Sequence, residues 1–187
     1  INGFSKYVSA VVPQTSASTE KVLMVATFGD FVVAARGEKI FSATAGGASW
    51  TERDTGRTSA GKYNFERYNF DGTSKLIVVD GNNAPTFFNT SMSATDVSES
   101  SVAGSKFVTA FRSHMFYAGK SSTPQTLVFS QPFDEDAFSS GSGAGTIRVD
   151  DTITGLKVFR DNLFIFCENR IFKLSGSSSS DFAISAV

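Results

Sequence analysis

Two acidic clusters are the groups in this sequence best suited to chemistry. Asp134-Glu135-Asp136 and Asp150-Asp151 each place carboxylates side by side. Paired carboxylates can serve as acid, base or nucleophile in the hydrolysis of glycosides. The first cluster lacks the glycine-centred spacing of a calcium-binding loop. Carboxylates of this kind more commonly lie solvated in loops, so a glycosidase is kept as an alternative and we expect the chain not to be an enzyme.

Other catalytic signatures are incomplete. His114 is the only histidine and Cys167 the only cysteine, so the two cannot build a structural zinc site. We expect His114 at a polar turn and Cys167 as a small buried residue. Residues 56–62 fit the first seven positions of a phosphate-binding loop, but Tyr63 stands where a Ser or Thr must reach the metal ion. The sequence therefore predicts no catalytic residue, no metal and no cofactor.

The elements that must hold these groups come from a repeat. Four short apolar runs follow turn signals, and their first residues lie 45, 39 and 48 positions apart. They begin at Phe31, Leu76, Met115 and Leu163. This period is typical of β-propeller blades. The predicted fold is all-β, a β-propeller-like array of about four four-stranded antiparallel blades, and we expect it to be part of a larger propeller.

The repeat also predicts the organisation of the chain. We expect a single β-propeller-like domain or fragment over residues 1–187, with blade-like units at about 20–55, 62–100, 105–150 and 152–187. A leading segment at residues 7–12 either closes the fourth unit or belongs to an earlier blade. The Ser-rich stretches 91–101, 139–145 and 175–180 are interpreted as loops. The first residue is not methionine, which favours a fragment or a processed product.

The second strand of each unit is apolar at successive positions rather than at alternate ones. A strand of this kind must be covered on both faces. Neighbouring blades supply that cover in a propeller, so we expect residues such as Ile77 and Phe164 to be core residues. Truncation of Phe164 to alanine is then expected to cost several kcal/mol through cavity formation.

Charge and hydropathy argue against two other classes of protein, those that grip nucleic acid and those that span a membrane. The 187 residues include 17 basic and 18 acidic side chains, a formal net charge of −1, and no basic run. A protein that grips nucleic acid normally presents a positive stripe. No apolar stretch reaches the 18 residues that a membrane-spanning helix needs, so we expect no membrane segment.

The second half of the chain resembles a known group of proteins. Residues 129–138 form an acidic, proline-containing loop, followed by Ile153-Thr154-Gly155-Leu156 and then by residues 160–166. This order is similar to a segment of β-propeller virion proteins of tailed bacteriophages, in which such a loop leads into Ile-Thr-Gly-Leu and Arg-Asp-x-Leu. The resemblance is best over residues 107–174 and looser over 70–88. Nozzle-like members of the group are much longer than this chain.

The resemblance implies a tail nozzle or hub, a tail tubular protein or a packaged-DNA stabilisation protein. The function that we expect is therefore a structural component of the virion, in the phage tail or head-to-tail region, in a ring that lines or closes the DNA exit channel. Its partners would be other virion proteins and further copies of itself in a homo-oligomeric ring. Contact with packaged DNA would be transient and not sequence-specific. No catalytic residue carries over from the resemblance.

A binding module is the alternative interpretation. A propeller of the tail tip or fibre could recognise a receptor or a glycan, and aromatic side chains on loops stack well on sugars. The candidate interaction residues lie on two loops and are Trp50, Phe133, Asp134, Glu135, Asp136 and Phe138.

Overall fold

The computed structural model describes residues 6–15, 20–58 and 61–187. Within this part of the chain, sixteen strands form four antiparallel sheets of four strands each. Helical structure there is limited to one 3-10 turn, Ser140–Ser142. Each sheet is built from four strands that are consecutive in sequence and paired in order. The predicted all-β array of four-stranded antiparallel sheets is confirmed.

The first two sheets occupy residues 22–54 and 64–96. The strands of sheet 1 are β1 (Val22–Phe28), β2 (Phe31–Arg36), β3 (Lys39–Thr44) and β4 (Thr51–Asp54). Those of sheet 2 are β5 (Asn64–Asn69), β6 (Ser74–Val79), β7 (Thr86–Phe88) and β8 (Ala94–Asp96). Strand β8 lies inside the Ser-rich stretch 91–101, where the sequence predicted only a loop.

The last two sheets occupy residues 107–148 and 153–186. The strands of sheet 3 are β9 (Phe107–Phe111), β10 (His114–Ala118), β11 (Thr126–Phe129) and β12 (Gly145–Arg148). Those of sheet 4 are β13 (Ile153–Phe159), β14 (Asn162–Cys167), β15 (Ile171–Ser175) and β16 (Ala183–Ala186).

Tight hairpin turns set the register inside the sheets. In sheet 1, Phe28 pairs with Phe31 across the two residues Gly29 and Asp30. Gly29 has a φ of +53°, a conformation that short hairpin turns require and that glycine adopts without steric cost. Strands β1 and β2 are therefore joined by the shortest common connection.

The sheets pack in chain order through their first strands. Strand β1 contacts β5, β5 contacts β9, and β9 contacts β13. Three apolar clusters fill the seams between consecutive sheets, one for each seam. Among the described residues, no such cluster joins sheet 4 to sheet 1. The array is therefore open between its last and first sheets.

We call the side of a sheet that is turned toward the next sheet in the chain its forward face, and the opposite side its backward face. The second strands β2, β6 and β10 place equivalent apolar residues on their forward faces. These buried pairs are Val33 with Ala35, Ile77 with Val79, and Phe116 with Ala118.

In sheet 4 the equivalent forward residues are Phe164 and Phe166. Phe164 is half-buried and Phe166 is 39% exposed. The neighbours Leu163 and Ile165, which point backward into the seam with sheet 3, are fully buried. The prediction that every second strand is covered on both faces is therefore wrong for β14, because no other sheet of the described residues packs on its forward face.

The leading segment covers part of the backward face of sheet 1. The Gly46 amide donates to the Tyr7 carbonyl at 2.8 Å, and Arg36 Nη1 donates to the Val12 carbonyl at 2.6 Å. These bonds hold residues 7–12 alongside β3, whose backward-pointing Phe41 is 4% exposed. The segment therefore packs on sheet 1 and does not pair with the fourth unit.

Candidate functional site

The acidic candidates lie on the long loop between β11 and β12, residues 130–144. The loop closes on itself where the Gln131 amide donates to the Ala137 carbonyl at 2.7 Å. It also reaches sheet 2, because the Ser98 amide donates to Asp136 Oδ1 at 2.8 Å. The loop therefore lies across the seam between sheets 2 and 3, and we call it the seam loop.

Glu135 anchors the seam loop in the protein interior. The residue is 2% exposed, and its Oε1 lies 2.7 Å from Lys75 Nζ at the start of β6. The Tyr117 hydroxyl donates to the Glu135 backbone carbonyl at 2.9 Å. A buried carboxylate needs such a partner, because an unpaired charge there is costly. Glu135 thus joins two sheets and does not face solvent.

Two tyrosines surround this ion pair. Burial raises the pKa of Tyr117, and the negative charge of Glu135 raises it further. Burial and the same carboxylate also raise the pKa of Tyr68. Both phenols consequently stay protonated, and neither is activated as a base. The cluster has the chemistry of a structural joint.

The aromatic candidates do not share one surface. Phe133 is 61% exposed and has a φ of +65°. Phe138, on the same loop, is half-buried against Tyr117, with ring centroids 5.9 Å apart. Trp50 lies in the connection between β3 and β4 and donates from Nε1 to the Ala10 carbonyl at 3.0 Å. Of the three, Phe133 is the one that is largely free to contact a ligand.

The second acidic pair is also engaged. Asp150 Oδ2 lies 2.5 Å from Arg170 Nη1 in an exposed ion pair. Asp151 accepts hydrogen bonds from the amides of Thr152 and Asn169, both at 2.8 Å. These amides lower the pKa of Asp151, with that of Asn169 contributing most. Asp151 therefore acts as a turn cap between sheets 3 and 4.

His114 is not the polar turn residue that the sequence predicted. It is the first residue of β10 and is 2% exposed. Its Nδ1 lies 2.6 Å from the Ser130 carbonyl, and its ring packs edge-on against Phe129 and Phe182. Cys167 is partly exposed at the end of β14. Across residues 6–15, 20–58 and 61–187, no group of three or more His, Cys, Asp or Glu side chains could hold a metal ion.

Arg57 is a central residue that sequence reasoning missed. It lies in the glycine-containing segment 56–62, of which residues 59 and 60 fall outside the described residues. Arg57 donates from Nη1 to Asp54 Oδ2 at 2.7 Å and from Nη2 to Asp80 Oδ2 at 2.8 Å. Asp54 ends sheet 1 and Asp80 follows β6, so one guanidinium bridges the first seam. The available signal was an acidic residue at the end of β4 and another directly after β6.

Tyr63 completes this network. Its hydroxyl accepts a hydrogen bond from Arg57 Nε at 3.1 Å. Burial raises the pKa of Tyr63 to about 12, against the opposing effect of the Arg57 charge. The pKa of Asp80 shifts in the opposite direction. Burial would raise its pKa, but hydrogen bonds from Asn83, Arg57 and Asn82 outweigh that effect and lower it. The seam therefore contains a carboxylate that is held in its charged form.

The first strands of sheets 2, 3 and 4 enclose a polar groove of about 470 Å³. Thr109 Oγ1 donates to Glu66 Oε2 across it at 3.1 Å, and burial raises the pKa of Glu66. At its edge, Arg67 donates to the Thr27 carbonyl of sheet 1 at 2.5 Å. The polar side chains of the groove thus bond to adjacent sheets.

Comparison with known proteins shows the fold. No protein-family description and no curated protein matches this sequence. The computationally designed Ika4 protein is similar in structure, with a TM-score of 0.57, 7% identity, and coverage of 99% of this chain and 98% of that one.

Two natural propellers are also similar. BamB from Moraxella catarrhalis has a TM-score of 0.53 and 8% identity, over 80% of this chain and 42% of that one. A chain of the nidogen/laminin complex has a TM-score of 0.57 and 10% identity, over 88% of this chain and 64% of that one. This chain therefore spans less than two thirds of either length, and its similarity to them is that of a β-propeller-like array.

Proposed function

We propose that this chain is a non-catalytic structural component of a tailed-phage virion, in the tail or head-to-tail region, within a ring that lines or closes the DNA exit channel. The observation that carries the structural role is the use of charged groups at the seams. Arg57 bridges sheets 1 and 2, and Lys75 with Glu135 bridges sheets 2 and 3. Arg112 donates to the Gly176 carbonyl of sheet 4 at 3.1 Å. These groups hold sheets together.

The virion setting is supported by the resemblance of residues 107–174 to phage propeller proteins. Several matched residues have structural roles. Asp150 pairs with the β14–β15 turn of sheet 4 and Asp151 caps it, and Leu163 and Ile165 pack in the seam between sheets 3 and 4. The net charge of −1 suits a channel wall that lets DNA slide.

The experiment is imaging and mass spectrometry of purified particles from the source. Peptides of this chain should copurify with intact virions, and cryo-electron microscopy should place its four sheets in a ring on the tail axis. A protein that is absent from the particles and found only free in the host would overturn the proposal. Loss of tail assembly on deletion, restored by the intact gene, provides the control.

A receptor- or glycan-binding module is the second candidate, because Phe133 is 61% exposed on the seam loop. Binding to a glycan array that Phe133→Ala abolishes would support it. Tyr7→Ala is a matched control, since Tyr7 is 52% exposed but lies on sheet 1. Equal binding by both variants, or no binding by the parent, would reject this candidate.

A further inference from the structure

The forward face of sheet 4 carries exposed apolar side chains, and no other sheet in the described part of the chain packs on it. Phe166 pairs with Ile171 across β14 and β15, and each is 39% exposed. Phe164 lies in the next row, between Lys157 and Lys173. Exposed apolar surface gathered on one sheet face is typical of an interaction site.

The internal repeat shows what this face is built to do. Its equivalents in the first three sheets include Val33, Ile77 and Phe116, each 0% exposed. All three are buried because the backward face of the following sheet covers them. Phe164 and Phe166 occupy the same positions and have the same apolar character. The forward face of sheet 4 therefore has the apolar composition of the faces that are covered by another sheet in the first three seams.

At all three seams, the backward face of one sheet packs on the forward face of the sheet that precedes it in the chain. Among the residues that the structure describes, the backward face of sheet 1 packs on no other sheet. Residues 7–12 cover its outer part alongside β3. Part of the face on β1 and β2 is exposed: Val25 is 62% exposed and Val32 is half-buried, whereas Ala34, paired with Phe41, is fully buried. The two open faces are thus complementary in type and lie at opposite ends of one array.

We propose that a second copy of this chain docks the β1–β2 part of its sheet 1 onto the forward face of sheet 4, so that the stack of sheets continues from one copy to the next. The contact is head-to-tail, because each copy offers two different faces. Such a contact closes into a ring or extends as a filament, according to the rotation between copies. The inference rests on the proposed function only for its setting, since a ring of copies requires an interface of this kind.

The test uses two charge substitutions at exposed positions, Phe166→Lys on sheet 4 and Val25→Lys on sheet 1. Analytical ultracentrifugation over a range of concentrations should show association of the parent chain. Each single variant should associate about 30-fold more weakly or worse, the effect of losing a central interface residue. An equimolar mixture of the two variants should form a heterodimer that grows no further, because each retains one intact face.

Phe133→Lys is the matched control, since Phe133 is 61% exposed but lies on the seam loop. It should associate like the parent. Thermal unfolding should show that all variants are folded. If Phe166→Lys is not folded, Ile171→Lys is used in its place. The Ile171→Lys variant is expected to lose self-association in the same way.

Three results would overturn the inference. The parent chain could remain monomeric at every concentration, or the two variants could fail to combine. Val25→Lys could also associate as well as the parent while Phe166→Lys does not, which would mean that two copies of sheet 4 pair face to face. Association of the purified chain with no trace of it in virions would instead overturn the proposed function and leave this interface standing.

Discussion

Lys75 and Glu135 form an ion pair between residues that are 60 positions apart in the chain. Nζ of Lys75 lies 2.7 Å from Oε1 of Glu135, and the glutamate side chain is 3% exposed. Lys75 is the second residue of β6 in sheet 2, whereas Glu135 belongs to the seam loop of sheet 3. An acidic motif that resembles a catalytic or cation-binding cluster is therefore a joint between two sheets.

Breaking this pair should destabilise the fold. Lys75→Met leaves the Glu135 carboxylate buried without a counter-charge, and we expect a loss of about 3 kcal/mol in the free energy of unfolding. Urea titration followed by circular dichroism would measure it. The double variant with Glu135→Leu should be more stable than Lys75→Met alone, because it removes the uncompensated charge.

Lys39→Met provides the control for charge removal. Lys39 pairs with Glu52 at 2.5 Å, but the two side chains are 33% and 42% exposed. Exposed pairs contribute about 0.5 kcal/mol. Equal losses for Lys39→Met and Lys75→Met would contradict the role that we assign to Glu135.

Phe116 and Phe164 make a matched pair for the open end of the array. They occupy equivalent forward positions, but Phe116 is fully buried in the seam with sheet 4 and Phe164 is half-buried. Phe116→Ala should cost about 3–5 kcal/mol in the monomer, and Phe164→Ala distinctly less. Urea unfolding of dilute samples would compare them. Equal costs would indicate that the forward face of sheet 4 is covered within one chain.

The Asp80 carboxylate should make stability depend on pH in the acid range. Its pKa is lower in the folded chain than the ordinary value of 3.8, so the unfolded chain binds the proton more readily. The stabilisation is present above the ordinary pKa and is lost as pH falls below it through the folded pKa. The free energy of unfolding should therefore decline on acidification below about pH 4.

Asp80→Asn should flatten that decline, because the amide does not titrate. The variant should also be less stable than the parent at neutral pH, since Arg57 loses a charged partner. Asp30→Asn, on the exposed β1–β2 turn, is the control and should keep the parent's slope. An unchanged slope in Asp80→Asn would show that other carboxylates cause the acid sensitivity.

Trp50 should hold the leading segment on sheet 1. Trp50→Phe removes the hydrogen bond from Nε1 to the Ala10 carbonyl. We expect faster hydrogen exchange at the amides of Ser9 and Gly46, which bond across this contact to Gly47 and Tyr7. Phe133→Ala, on another sheet, should leave both rates unchanged. Exchange that does not respond to Trp50→Phe would mean that the other bonds to sheet 1, including the one from Arg36, are sufficient to hold the segment.

Much of the fold could be read from local patterns. Strand β2 begins at Phe31, where the first apolar run predicted a strand, and the turn signal before it is Gly29-Asp30. Such signals are local, because hairpin turns and strand runs depend on neighbouring residues. Strand β8 escaped prediction, since Ala94–Asp96 is short and polar and is held by pairing with β7.

The candidate site was less predictable because burial is a long-range property. The residues near Glu135 in the sequence do not predict its ion pair with Lys75, and those near Arg57 do not predict its ion pair with Asp80. His114 follows a turn signal, yet its ring packs among phenylalanines from two sheets. The exposed or buried state of each group depends on which sheet lies against it.

The repeat of apolar runs was sufficient to define four antiparallel sheets, because strand pairing between consecutive segments follows from period, turn residues and apolar pattern. Tertiary packing decided the use of the polar groups and the state of each face. Three forward faces are covered, and the fourth, with Phe164 and Phe166, is open. The same residue type is core or surface according to its neighbour, since apolar side chains are stabilised by whichever surface removes them from water.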